Sequence, residues 1–371
     1  MSAEHRETWR PDWAVPPGDI LAEALSDRGM SQVELSRRTG RPLKTVNEIV
    51  RGKAAITPET ALQLEYALAI PARFWLNLER EFGEQKARAQ SRAALEASGD
   101  WVKRFPIRDL VAGQWIPNTR SKIEQVEGVL RFFGVTSPDA WSRQWESVAA
   151  SFRKSAAFES KAEPLAAWLR AGELVALQAE CASFDAESLE SALPQLRSFT
   201  RLQPIAFEDR LIRMLADCGV ALITIREFEG THLYGASYWV SPERAVIQLS
   251  LRQRKDDEFW FSLVHEIDHI LHGSRRSYYV HGADERSGSD AEETRADDFA
   301  RRMLIPDNQL AAFVASKDFH DTAIERFAHE LGVGQGVLVG RLQHDQKIPR
   351  NYGNHLKRPI RFVEDQLRRT G

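Results

Sequence analysis

The 371-residue sequence predicts a mostly helical α+β chain. A small helical bundle comes first, and one small antiparallel sheet precedes a helix with a His-Glu-x-x-His pattern. Three observations carry this. Residues 18–82 break into short helical stretches with capping signals and glycine stops. Near residue 220 the helical spacing of apolar residues gives way to short β-branched and aromatic runs. Directly after them, FWFSLVHEIDHILHG (259–273) returns to helical spacing and sets two histidines four apart.

In the front segment, Ser31 and Glu34 form an S-x-x-E capping box opening a helix to about Thr39. Gly40 can close that helix in the left-handed conformation. A second helix runs from about Pro42 to Arg51 and ends at Gly52, and Thr57 with Pro58 opens a third. Two short helices around a tight glycine turn outline a helix-turn-helix, whose second helix enters the major groove of DNA. Between Arg28 and Lys53 lie seven Lys or Arg and two acids, a local balance of +5 in a chain of formal charge −3. With Val46, Ile49 and Val50 packed inward, Arg41, Lys44, Thr45, Asn47, Glu48 and Arg51 face outward. Arg and Asn suit base edges, and lysines suit phosphates.

From PPGDILAEAL through IPARFWLNLEREF (16–82) the chain resembles the XRE/Cro-type helix-turn-helix, specifically its HigA-like antitoxin branch. The stretches matching SQxELSxRTG, AITPETALQLE and FWLNLE follow in that branch's order. The resemblance implies binding of double-stranded DNA, usually as a homodimer, with Gln32 near a phosphate and the 41–51 helix reading bases. Domains of this branch also bind toxin partners.

The middle, from Gly83 to about Thr200, is rich in helical spacing. EQKARAQSRAALEAS (84–98) reads as one connecting helix, and SKIEQVEGVLRFFGV and AEPLAAWLRAGELVALQAE as two more. Trp101, Trp115, Trp141, Trp145, Trp168 and Trp239 read as core rather than as platforms for nucleic-acid bases. Then GVALITI (219–225), HLYGASYWV (232–240) and RAVIQLS (244–250) read as strands of one antiparallel sheet.

On a helix, His265 and His269 project from one face a turn apart and fit two corners of a tetrahedral zinc site. Glu266 reaches the open position without occupying a corner, which suits a general base for water. A third ligand is needed, and DAEETRADDFARRMLIP (290–306) offers two glutamates. Glu293 shares a helical face with Ala296, Asp297 and Ala300, and the alanines permit close approach of the metal helix. Asp297 can accept the free N–H of a ligating histidine. Glu292 shares a face with Arg295 and Phe299, a surface pairing. The face argument favours Glu293. His272 extends the histidine face but reaches the same ion poorly, while His281, read as a loop residue, stays open as a ligand.

Together these segments resemble the ImmA/IrrE zinc metallopeptidases, a zincin-like domain, over about 205–310. The resemblance implies zinc on His265, His269 and Glu293, with Glu266 as base, and cleavage of a repressor in a stress or prophage response. Asp268 departs from the small residue common inside that motif and is expected to face solvent. Tyr278, Tyr279 and His281 are candidates for steadying the oxyanion. The other reading is an antitoxin-like repressor whose metallopeptidase fold senses a ligand or metal without cutting.

Four segments follow: 1–83 for DNA binding, 84–200 helical and connecting, 201–310 for the metal chemistry, and 311–371 a helical tail. In that tail, 341–371 carries eight Lys or Arg against three acids and reads as solvated charge. Two cysteines, Cys181 and Cys218, point to a reducing cytoplasm. The first residues lack a signal peptide's apolar core, and the absence of a long apolar run leaves no membrane partner.

Overall fold

The computed structural model describes residues 15–152, 162–250, 252, 255–275, 277–282 and 291–360. The chain divides into two compact units, Met1–Ser98 and Gly99–Gly371. Among the described residues no helix is long and apolar enough to cross a membrane.

The first unit holds α1 (Pro17–Asp27), α2 (Gln32–Thr39), α3 (Leu43–Val50), α4 (Pro58–Leu68) and α5 (Ala72–Ala97). Ser31 Oγ accepts from the backbone N–H of Glu34 at 3.2 Å, the first half of the capping box. Gly40 closes α2 at φ 69°, a conformation a side chain would strain. Leu35, Val46, Ile49, Leu64 and Trp75 pack into one core that fixes α3 against its neighbours. Residues 84–97 continue α5 rather than forming a helix of their own.

The second unit begins with α6 (Ile107–Ala112), α7 (Lys122–Phe133), α8 (Pro138–Phe152), α9 (Ala162–Gln178), α10 (Ala186–Phe199) and α11 (Pro204–Asp217). Next come β1 (Val220–Thr224), β2 (Leu233–Ser241), β3 (Arg244–Leu249), α12 (Asp256–His272) and β4 (Tyr279–Gly282). It closes with α13 (Ala291–Leu304), α14 (Asp307–Ser316), α15 (Asp321–Leu331) and α16 (Gln335–His344). Trp141, Trp145 and Trp168 are buried, as core packing requires.

The sheet corrects the antiparallel expectation. Its order is β1-β3-β2-β4, with β1 parallel to β3 and the other two pairings antiparallel. A tight turn at Pro242 and Glu243 folds β3 back onto β2. The longer connection 225–232 carries the chain past the slot that β3 fills, so β1 meets β3 in the same direction. β4, which falls on a stretch read as loop, adds an edge.

Side-chain alternation along β2 separates the two faces of the sheet. Ser237 meets α12, whereas the Tyr238 hydroxyl contacts Leu169 of α9 and bonds to Gln248. On the α12 side, Phe207, Leu211, Ile247, Leu263, Ile267 and Leu338 share one core. Ala296 and Ala300 are fully buried, so α13 lies close on α12. The basic tail is not simply solvated. Lys357 Nζ is buried against Asp257 Oδ2 at 2.6 Å, and Arg358 N–H donates to Asp256 Oδ1 at 3.0 Å, tying the chain's last described segment to the start of α12.

Candidate functional site

The i, i+4 spacing on α12 and the alanine-lined face of α13 bring three donors to one point. His265 Nε2 and His269 Nε2 stand 3.1 Å apart, with Glu293 Oε2 3.2 Å from the first and Glu293 Oε1 3.2 Å from the second. These three form a group able to hold a metal ion. Ligand atoms about 2.0–2.1 Å from a tetrahedral ion stand roughly 3.3 Å from one another, so the donor set fits zinc in spacing as well as in chemistry. Glu292 is not part of the group.

The surrounding groups orient the donors. His265 Nδ1–H donates to Asp297 Oδ1 at 3.0 Å, which turns Nε2 inward toward Glu293. The Tyr279 ring stacks on His269 at 4.3 Å and 11° and restrains its rotation. Burial pushes the His265 imidazole down, but Asp297 and Glu293 outweigh it and raise it to about 10. Burial pushes Glu293 up, yet its bonds to the two histidines hold it well below the usual carboxylate range. The site is thus electrostatically built to receive a cation.

Glu266 is fully buried beside the cluster. Ser237 Oγ donates to its Oε2 at 2.6 Å, while Oε1 is buried without a hydrogen-bond partner among the described residues. Burial raises its pKa against the lowering effect of both histidines and Ser237. At Gly235 a Cβ would sit 2.8 Å from Leu249 Cδ2 and 3.0 Å from Glu266 Oε1, so β2 reaches the carboxylate closely only because this residue has no side chain. Sequence reasoning missed Ser237 and Gly235. Their signal was the period-2 alternation of β2, readable only once its partner helix is known.

The oxyanion candidates separate. Tyr278 lies away from the cluster, stacked on Tyr238 at 5.2 Å on the α9 side of the sheet. Tyr279 is near, but its hydroxyl accepts from the N–H of Ser274 at 2.7 Å. His281 belongs to strand β4 rather than a loop, and its side chain lies outside the described residues. Asp268 reverses the expectation of a solvent-facing acid. It is 1% exposed, accepts from Arg295 Nε at 2.9 Å, and meets His272 Nδ1 at 2.8 Å. Arg295 therefore ties α13 to α12 two residues from Glu293.

In the first unit, Asn47 Nδ2 donates to Gln32 Oε1 at 3.2 Å, joining α2 to α3. Lys44 is 86% exposed, Thr45 is half-buried and Arg51 is exposed. Arg41 departs from the outward reading. Its side chain is only 20% exposed and turns to α4, where Nε donates to Gln63 Oε1 at 2.5 Å and Nη2 lies 3.4 Å from Glu59.

Residues 21–75 match the helix-turn-helix family, and residues 219–343 match the IrrE N-terminal-like domain of the peptidase M78 family. An uncharacterized HTH-type transcriptional regulator of Escherichia coli (strain K12), YddM, is 34% identical over 71 residues, 19% of this chain and 76% of that protein. An addiction module antidote protein of a HigA family from Coxiella burnetii is 32% identical. That match covers 24% of this chain and 91% of that one, with a TM-score of 0.20. The Pseudomonas aeruginosa antitoxin HigA, solved with the higBA promoter, is 31% identical over the same shares, with a TM-score of 0.21.

Proposed function

We propose a double role for this chain, which belongs to the helix-turn-helix transcriptional regulators and carries an IrrE N-terminal-like domain. The first unit binds double-stranded DNA, as a homodimer, and the second is a zinc-dependent endopeptidase. Its substrate is a protein of the repressor or antitoxin type.

One observation carries the peptidase half: a buried, half-partnered glutamate stands beside three converging donors of zinc-ligand type. Zinc held by His265, His269 and Glu293 would supply a Lewis acid for the carbonyl of a peptide bond. Asp297 and Tyr279 keep the two imidazoles oriented. Ser237 engages Glu266 Oε2, which leaves Oε1 to take a proton from the attacking water. The same carboxyl then gives that proton to the leaving amine. A carboxyl raised by burial suits both transfers better than an ordinary one.

For the DNA half, α3 is the recognition helix. Asn47 and Arg51 read base edges, Gln32, Lys44 and Thr45 hold phosphates, and Arg41 chiefly sets α3 against α4. The exposed Lys44 and the local balance of +5 support this assignment.

Glu266→Gln tests the reading. The variant should keep zinc and DNA binding while losing on the order of 10²–10⁴-fold in cleavage of co-incubated repressors, the usual contribution of a general base. A cellular response to the inducing signal that survives intact in Glu266→Gln rejects catalysis and leaves a sensor.

A further inference from the structure

Next to the metal centre the second unit carries a pocket of about 230 Å³. Three elements that build the centre run on into it. From α12 come Phe261 and Ser262, one turn before His265 and Glu266. From α13 comes Arg301, one turn beyond Asp297, whose backbone oxygen accepts from its Nε at 3.1 Å. From β2 comes Tyr234, beside the Gly235 that abuts Glu266. The Phe261 ring lies 6.2 Å, centroid to centroid, from the His265 imidazole. A chain whose peptide bond reached Glu266 would thus present a neighbouring side chain to this opening.

Its walls decide what enters. Leu304, Ile305 and Val337 line it together with Phe261, and burial of a guest there is favoured for apolar groups. Several of the charges that line it are already matched. Arg341 meets Asp307 and Asp345 at 2.7 Å each, Arg301 meets Asp298 at 2.9 Å, and Asp257 meets Lys357 at 2.6 Å. A charged guest would have to break one of these pairs or meet Glu258, the other acid of the lining, which burial raises to about 7 and so toward its neutral form. Size matters too: pockets that enclose a whole drug-sized ligand span roughly 300–1,000 Å³, so this one fits a single side chain better than a small-molecule effector.

We propose that this pocket is the subsite for one bulky apolar side chain, Leu, Met or Phe, flanking the bond cut in the protein substrate. The proposal rests on the peptidase reading above and gives it a substrate class. Two experiments keep their failures apart. In the first, the zinc-loaded full chain is incubated with a randomised peptide library and the fragments are read by mass spectrometry. One position beside the cut should prefer Leu, Met or Phe over Ala by about tenfold or more, the discrimination an apolar pocket gives for lost carbons. Ser262→Phe, which fills the pocket, should move that preference to Ala and Gly. Cleavage with no such preference, or with a preference that a folded Ser262→Phe leaves unchanged, overturns the subsite while the peptidase stands.

The second experiment needs no cleavage. Glu266→Gln protein with zinc is titrated with N-acetyl-leucinamide, N-acetyl-alaninamide and N-acetyl-glutamine amide, and the methyl signals of Leu304 and Ile305 are followed by NMR. Shifts with the leucine compound alone, lost in Ser262→Phe, support the pocket. No shift at either methyl overturns it. Leucine-selective shifts from a protein whose wild type cuts no peptide would support the apolar site and overturn the peptidase reading it was placed beside.

Discussion

Replacing Arg295 with Met removes the guanidinium that meets Asp268 while keeping much of the side chain's bulk. Asp268 is buried, and after the change His272 Nδ1, at 2.8 Å, is the partner left of the two described above. Breaking a buried ion pair by removing one member costs about 3–5 kcal/mol. Arg295 is itself 38% exposed, so water can reach the vacated place, and a loss of about 2–3 kcal/mol is expected. For a domain this large each kcal/mol moves the midpoint by roughly 2–4 °C, so calorimetry should show Tm falling by about 4–12 °C. Because Glu293 sits two residues before Arg295 on α13, the variant should also hold zinc more weakly against a competing chelator. Asp268→Asn supplies the control: in that background Arg295→Met should cost at least about 1 kcal/mol less than it does alone. A midpoint unchanged to about 1 °C, or equal costs in both backgrounds, would refute the reasoning.

His265→Ala, His269→Ala and Glu293→Ala should each remove most of one bound zinc per chain, measured by elemental analysis, while Glu292→Ala keeps it. Equal losses in the two glutamate variants would sink the ligand assignment. Lys44→Ala should weaken binding to all DNA sequences and lower the salt slope by about one, whereas Asn47→Ala should relax sequence preference in a competition assay. Burial, with Asp257 adding, pushes Glu258 from 4.5 up to about 7. Its proton is kept by the native chain and given up by the unfolded one across that window, so this group's contribution falls as pH rises through it. Glu258→Gln should therefore stabilise the protein at pH 8 by about 1 kcal/mol after discount for its partial exposure, and do little at pH 4. Denaturation curves with identical gains at both pH values would contradict this.

Local features were the legible ones. Ser31, Gly40, Gly52 and Thr57 punctuate the front helices because caps and left-handed stops act within one turn of chain. The His265–His269 pair and the preference for Glu293 over Glu292 came from helical periodicity, which needs no knowledge of the rest of the fold. Strand pairing did not, since β1 lies beside β3 through the longer connection between β1 and β2. One hint was present: VALIT is a continuous apolar run, the pattern of a strand covered on both faces, rather than an alternating one. Asp268 was misread because the polarity of a residue says nothing of the arginine that another helix will bring to it. Arg41 was misread for the same reason, its partners lying on α4.

The near-parallel contact of Tyr279 with His269 has a spectroscopic consequence. Protons held over the face of an aromatic ring feel its circulating current and resonate upfield of their usual position. With ring centroids 4.3 Å apart and planes 11° from parallel, the His269 imidazole protons lie in that shielding cone. In a chain with ten histidines, they should stand clear of the crowded imidazole region and report metal uptake directly. Tyr279→Leu would return them to it.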